Sequence, residues 1–240
     1  MPDAPRSDGT PAADPATATE DDHALAARLA TDAGRLLVDL RAKLAADGVD
    51  GRTLGREGDR RAHELLVAGL AATRPHDAVL SEEGVADPAR LTAPRVWIVD
   101  PLDGTREYGD VPRTDWAVHV ALVIDGTPVA GAVALPARDL TLSTDAPPPP
   151  PPPRPPGAPP RLVVSRSRPP AEAGLLAREL GWEVVSLGSA GAKAMAVVLG
   201  DAEVYAHSGG QYEWDSAAPV AVATATGAAE SHSYWPPLWA

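Results

Sequence analysis

Hydrophobic positions along the chain switch between helical and strand periods. Asp21 and Asp22 precede Leu25, Leu29, Leu36, Leu37, Leu40 and Leu44, an apolar stripe at helical spacing that Gly48 stops. A second helix is expected over 59–73, with Ala62, Leu65, Leu66 and Leu70 on one face and Pro75 beyond its end. Short apolar runs at 78–81 and 96–99 each end in acidic residues. Runs at 116–124 and 127–135 flank Asp125-Gly126, a hairpin signal. Further on, 161–165, 171–180, 183–187, 189–199 and 203–207 read strand, helix, strand, helix, strand, and 215–226 reads as a last helix. Such mixing predicts an α/β or α+β fold in two halves hinged near residue 150.

Two segments stand outside this alternation. Residues 1–21 are rich in Pro, Ala, Asp and Thr without an apolar period, so burial cannot offset their ordering entropy and a disordered tail is expected. Residues 147–160 are mostly proline, interrupted by Arg154, Gly157 and Ala158. With few backbone donors such a run favours polyproline II and reads as a stiff spacer, the competing reading being a ligand for a proline-binding domain. The implied divisions are the tail, an N-terminal half over 22–146, the spacer over 147–160, a C-terminal half over 161–227 and an unusual tail over 228–240.

Composition then removes several chemistries. The 240 residues carry 33 Asp+Glu against 21 Lys+Arg, a formal net charge of −12. That balance is a poor match for a nucleic-acid polymer, whose binding needs clustered cations. The absence of cysteine excludes disulfides, Cys-ligated metals and a thiol nucleophile. No run approaches the roughly 18 apolar residues of a membrane span, and residues 1–22 lack the apolar core of a secretory signal. A soluble cytoplasmic protein with no integral membrane contact is the expectation.

The acids are placed where chemistry happens. Trp97-Ile98-Val99 is a buried-strand pattern followed at once by Asp100-Pro101-Leu102-Asp103-Gly104-Thr105. Val79-Leu80-Ser81 leads into Glu82-Glu83, and Asp215 follows Trp214 at the start of the last helix. Taken singly, each acid could cap a turn or a helix. Together, with so little basic compensation, they point to a shared cation, and all-oxygen ligation favours Mg²⁺ first and Mn²⁺ second. The N–H groups of Gly104 and Thr105 would form an anion pocket beside it. That combination suits phosphoryl transfer to water.

The run Trp97–Tyr108, Trp-Ile-Val-Asp-Pro-Leu-Asp-Gly-Thr-Arg-Glu-Tyr, resembles the WxVDPLDGTxEF signature of the inositol-monophosphatase superfamily. Ser81-Glu82-Glu83 resembles its upstream acidic motif and Trp214-Asp215-Ser216-Ala217-Ala218-Pro219 its downstream WDxAAP motif. The Leu-Asp form of the signature, with Arg106-Glu107 after it, is closer to the CysQ-type branch. Val164-Ser165-Arg166-Ser167-Arg168 is similar to the phosphate-contacting segment of 3′(2′),5′-bisphosphate nucleotidases, and 188–195 to an actinobacterial form of their nucleotide loop. The resemblance covers about residues 22–227 and implies a layered αβαβα sandwich. It implies metal ligation by Glu82, Asp100, Asp103, Asp215 and the Leu102 carbonyl, with about two or three Mg²⁺ ions per site and Mn²⁺ as substitute. Thr105 and Glu82 would orient the attacking water, and Asp59 would fill the supporting acid position. Gly104 and Thr105 would hold the scissile phosphate, with Asp215 at the substrate. Ser165, Arg166, Ser189 and Lys193 would take the second phosphate and the nucleoside. The implied reaction removes the 3′-phosphate of 3′-phosphoadenosine 5′-phosphate in sulfur assimilation. Inositol monophosphate or fructose 1,6-bisphosphate hydrolysis are the alternatives within the family. A non-catalytic nucleotide-binding remnant is the alternative of another class. The partner is then a small phosphate ester, and the reading leaves room for a homodimer.

Three departures accompany the resemblance. Arg56 stands where the family has Thr three residues before the supporting acid, so Asp59 reads equally as a helix N-cap. The proline run replaces an ordinary connection. The ending from Ala229 to Ala240 resembles no family ending, which reads as a truncation or frame change and predicts an exposed sheet edge and apolar surface. His63, His119, His207 and His232 lack partners at ligand spacing and are assigned structural or surface roles. No G-x-S-x-G elbow surrounds Ser165, Ser167 or Ser189, and Gly188–Gly191 lacks a P-loop ending.

Overall fold

Two long helices open the computed structural model, which describes residues 20–85 and 87–228. Residues 1–19 of the expected tail and 229–240 of the unusual ending lie outside the described residues; Glu20 and Asp21, expected in the tail, are instead ordered at the start of the first helix, Glu20 pairing with Arg28. α1 (Asp22–Ala46) is capped by Asp21, whose side chain accepts from the Ala24 amide at 2.8 Å. Its stripe of Leu25, Leu29 and Leu37 is buried.

α2 (Gly51–Thr73) starts well before the expected position, and its N-cap is Asp50, not Asp59. The stretch 51–58 has no apolar stripe and three glycines, which made it read as non-helical. Those glycines form a contact face instead. A Cβ at Gly55 would sit 2.7 Å from Thr105 Cγ2, and one at Gly58 would sit 2.8 Å from Tyr108 Cε1. The first turns of α2 thus lie flush on α3 (Thr105–Gly109), the short helix that follows the acidic signature.

The first sheet has the order β1-β2-β3-β4-β5, formed by β1 (Ala78–Ser81), β2 (Arg95–Asp103), β3 (Ala117–Ile124), β4 (Thr127–Leu135) and β5 (Leu140–Ser143). β1 pairs parallel with β2 and the rest are antiparallel. Asp125 (φ 47°) and Gly126 (φ 79°) make the β3–β4 turn with both residues left-handed, as the primed hairpin turns require. β5 was not expected; its four residues are too short to show a period.

Helices cover both faces of this sheet. α1 and α2 bury Leu29, Leu37, Leu54 and Leu66 against Trp97, Val99 and Val120 on one side. On the other, α5 (Ala190–Val198) and α6 (Glu213–Ala225) bury Met195, Val198, Ala218 and Val222 against Ile98, Ala121 and Val133. A second, all-parallel sheet follows in the order β7-β6-β8, from β6 (Arg161–Ser165), β7 (Glu183–Leu187) and β8 (Val204–Ala206). Leu162 and Val164 of β6 face α4 (Ala173–Leu180), while Val163, of opposite parity and fully buried, faces the inner helices. The layers therefore run α, β, α, β, α. The spacer 147–160 crosses from β5 to β6 and is fastened where Arg154 Nη1 meets Glu203 Oε1 at 3.2 Å. Among the described residues no helix is long and apolar enough to cross a membrane.

Candidate active site

In a regular strand, residues 100 and 103 would point to opposite faces. β2 avoids this with a bulge: Asp100 lies opposite His119 and Asp103 opposite Ala117, so one extra residue on β2 is absorbed between the pairs. A proline is tolerated there because the ladder is already interrupted. The result places single ligand atoms of Asp100, Asp103 and His119 within 4.8 Å of one another, all buried. Glu82, just past β1, lies close enough to Asp100 to shift its proton affinity, and the Glu82 amide donates to the Val99 carbonyl at 3.3 Å. Asp215, in the first turn of α6, adds a further charge to Glu82, Asp100 and Asp103. Of the sequence-expected ligands, Asp100 and Asp103 are thereby gathered, with Glu82 and Asp215 near enough for their charges to act on Asp100. The fifth, the Leu102 carbonyl oxygen, lies 3.2 Å from Thr105 Oγ1.

The electrostatics of this cluster are those of an incomplete site. Burial, and then the Asp103, Glu82 and Asp215 charges, push the Asp100 carboxyl well above its ordinary range. Burial and the Asp103 charge push Asp215 upward as well. Asp103 goes the other way: burial would raise it, but the nearby His119 imidazole, with bonds from Ser189 Oγ (2.5 Å) and the Gly191 amide (2.7 Å), holds it ionised. The lysine and arginine beside the site are committed elsewhere. Lys193 Nζ donates to the Gly188 and Ser189 carbonyls, both at 2.7 Å, and Arg166 is paired with Glu107. Acids that repel one another, with oxygen donors and one imidazole, fit a hard divalent cation.

Beside the cluster stands a second pair. Thr105 Oγ1 donates to Asp59 Oδ1 at 3.1 Å, and α2 is able to bring Asp59 so close because of its glycine face. Burial, then the Glu83 charge, raises Asp59 from 3.8 to about 7. Gly104, at φ 91°, turns the chain from β2 into α3 in a conformation only glycine adopts easily.

The loop joining β7 to α5 is held against the strand ends from several directions. The Gly188 amide donates to Asp115 Oδ2 at 2.7 Å, and the Ser189 side chain caps α5 while bonding Asp103. Arg166 Nε and Nη2 both reach Glu107 Oε1, with Nε at 3.1 Å. Of the substrate residues expected from sequence, Ser189 and Lys193 thus build the loop, Arg166 is oriented by Glu107, and Ser165 Oγ accepts from the Arg168 amide at 3.2 Å.

His119, given a structural or surface role from sequence, is buried against the acidic cluster. Its Nδ1 donates to the Trp214 carbonyl at 2.9 Å, leaving Nε2 at 3.2 Å from Asp103 Oδ2. Burial opposes its protonation, yet Asp103 raises its pKa overall. Only the β2–β3 register, which sets His119 opposite Asp100, could have found it.

Buried acids that repel one another until a cation joins them suit metal-assisted phosphoryl transfer. The chain belongs to the inositol monophosphatase family, whose profile matches residues 20–146 and 163–232. It is 50% identical over 216 residues to the 3′-phosphoadenosine 5′-phosphate phosphatase of Mycobacterium leprae, covering 86% of this chain and 79% of that protein. It is 34% identical over 184 residues to the 3′(2′),5′-bisphosphate nucleotidase CysQ of Escherichia coli, covering 71% and 72%. Among solved structures, CysQ from Bacteroides thetaiotaomicron superposes with a TM-score of 0.71 at 27% identity over 87% of each chain. Inositol monophosphatase II from Staphylococcus aureus superposes with 0.69 at 22% identity, covering 85% and 80%. This chain is a phosphatase of that metal-dependent family.

Proposed function

We propose that the chain is a Mg²⁺-dependent phosphomonoesterase that converts 3′-phosphoadenosine 5′-phosphate and water to AMP and inorganic phosphate, in the service of sulfur assimilation. The observation that carries this reading is the buried Asp100–Asp103 cluster beside the Thr105–Asp59 pair. The names of the mycobacterial and enterobacterial relatives support the substrate.

In this reading Glu82, Asp100, Asp103, Asp215 and the Leu102 carbonyl hold the metal. A bound divalent cation supplies charge neutralisation at the phosphoryl group and acidifies water. The protein's own part is to place and deprotonate that water. The Thr105 hydroxyl, donating to Asp59, directs its lone pairs outward to accept from the water. Asp59, with a proton affinity near neutrality, takes the proton that passes through Thr105. Oxygen attacks phosphorus, the bond to the ribose 3′-oxygen breaks, and that oxygen is protonated from solvent. The amides at the start of α3, after Gly104, face the scissile phosphate, and Arg166 faces the second phosphate with the guanidinium edge that Glu107 leaves open.

Phosphate release from adenosine 3′,5′-bisphosphate, inositol 1-phosphate and fructose 1,6-bisphosphate separates the substrate readings. The nucleotide is expected to give a kcat/KM at least about ten-fold above the others, a difference of about 1.4 kcal/mol. A higher value for either sugar phosphate overturns the nucleotidase reading.

A further inference from the structure

At the entry to α6 the ring of Tyr212 lies flat against that of Trp214, with centroids 4.8 Å apart and planes inclined by 16°. The inner ring is anchored. Trp214 packs against the core of Ala217, Ala218 and Val222, and its carbonyl accepts from His119. The outer ring is open, Tyr212 being 66% exposed. Core packing does not account for an aromatic ring stacked on one face and left in water on the other.

The stack is tied to the site. The Tyr212 amide donates to Asp215 Oδ2 at 2.7 Å. The preceding residue, Gln211, donates from Nε2 to Tyr205 Oη at 2.9 Å, and the Tyr205 ring lies 5.3 Å from Lys193 Nζ. A fixed aromatic face therefore stands within one helical turn of Asp215, on the rim of the acidic cluster.

We propose that the outer face of Tyr212 is a stacking platform for the nucleobase of the substrate, an inference that rests on the nucleotide reading above. A purine offers a flat π-face that gains from stacking, and Trp214 has already ordered the tyrosine ring, so little freedom is lost on binding. Inositol and fructose phosphates offer no such face. The platform would therefore separate nucleotides from sugar phosphates at a site whose phosphate chemistry treats them alike.

The test compares ligands that differ only by the base. Calorimetric binding of AMP and of ribose 5-phosphate, with Mg²⁺ present, is measured for the protein and for Tyr212→Ala and Tyr212→Phe. AMP is expected to bind the unsubstituted protein about ten-fold tighter than ribose 5-phosphate, within the range of base–aromatic stacking. Tyr212→Ala is expected to remove most of that ratio and Tyr212→Phe to keep it. A ratio near one in the unsubstituted protein, or a ratio unchanged in Tyr212→Ala, overturns the platform. Because a ratio is read, a general disturbance of the site cancels. Failure of the nucleotidase reading shows separately, as absence of phosphate release from adenosine 3′,5′-bisphosphate.

Discussion

Asp59 is the side chain whose chemistry departs furthest from what its position in the sequence announces. It sits mid-helix, 9% exposed, with a proton affinity raised from 3.8 to about 7 by burial and the Glu83 charge. Without metal, this fixes a pH dependence. Below pH 3.8 folded and unfolded chains both carry the proton; between 3.8 and about 7 the unfolded chain has lost it while the folded one retains it. Stability from this group therefore falls as pH rises through that window and is lost above about 7. Asp59→Asn keeps an acceptor for Thr105 but does not titrate. In chelator, the stability of the Asn protein relative to the original is expected to rise by about 2–4 kcal/mol from pH 4 to pH 8, read from urea unfolding, while kcat falls about 10²-fold. A pH-independent difference would remove the assignment. The sequence signature made Asp100, Asp103 and Thr105 legible, because acids after a buried strand have few structural reasons to cluster. His119 was not legible: within Ala117-Val118-His119-Val120 it reads as a core residue until the strand pairing is known.

At the scale of elements, small backbone features do the placing. The bulge in β2 turns Asp103 to the same side as Asp100, and the glycine face of α2 lets α3 approach until Thr105 meets Asp59. Gly58→Ala would put a methyl 2.8 Å from the Tyr108 ring and 2.9 Å from Leu102 Cδ2, contacts too short to keep. Helix propensity alone would make this change favourable by about 1 kcal/mol. The overpacking is expected to win, with a net loss of about 1–3 kcal/mol and a Tm lower by several degrees in a thermal melt. A Tm that rises would show that α2 and α3 are not in this contact. The same glycines explain why the start of α2 was not legible: they look like helix breakers and act as a packing surface. The hairpin, α1 and the alternation of 161–199 were legible because each carries a complete local signal, a period with its own stop or turn.

At the scale of the molecule, the two halves read from sequence are not separate cores. Helices α5 and α6, which follow the spacer, cover the face of the first sheet that α1 and α2 leave open, and they bring Asp215 and the Asp103-bound loop to the strand ends. No local pattern announces that interleaving. The outer layer is less covered: Leu175, Leu176, Leu180, Val184 and Val204 are exposed, and a cavity of about 340 Å³ is lined by Leu162, Leu176, Leu180, Trp182 and Val204. A cation bound by Glu82, Asp100, Asp103 and Asp215 would join residues from both sides of the spacer. The most direct test is Mg²⁺-dependent phosphate release from adenosine 3′,5′-bisphosphate by the original chain and by Asp100→Asn. Folding is checked by the melting temperature in chelator, which removal of one repelling acid should leave equal or raise. The expected result is turnover that appears with Mg²⁺, vanishes in chelator and is at least about 10³-fold lower in the folded Asn protein. Turnover that persists in chelator, or that Asp100→Asn lowers by less than about ten-fold, would contradict it.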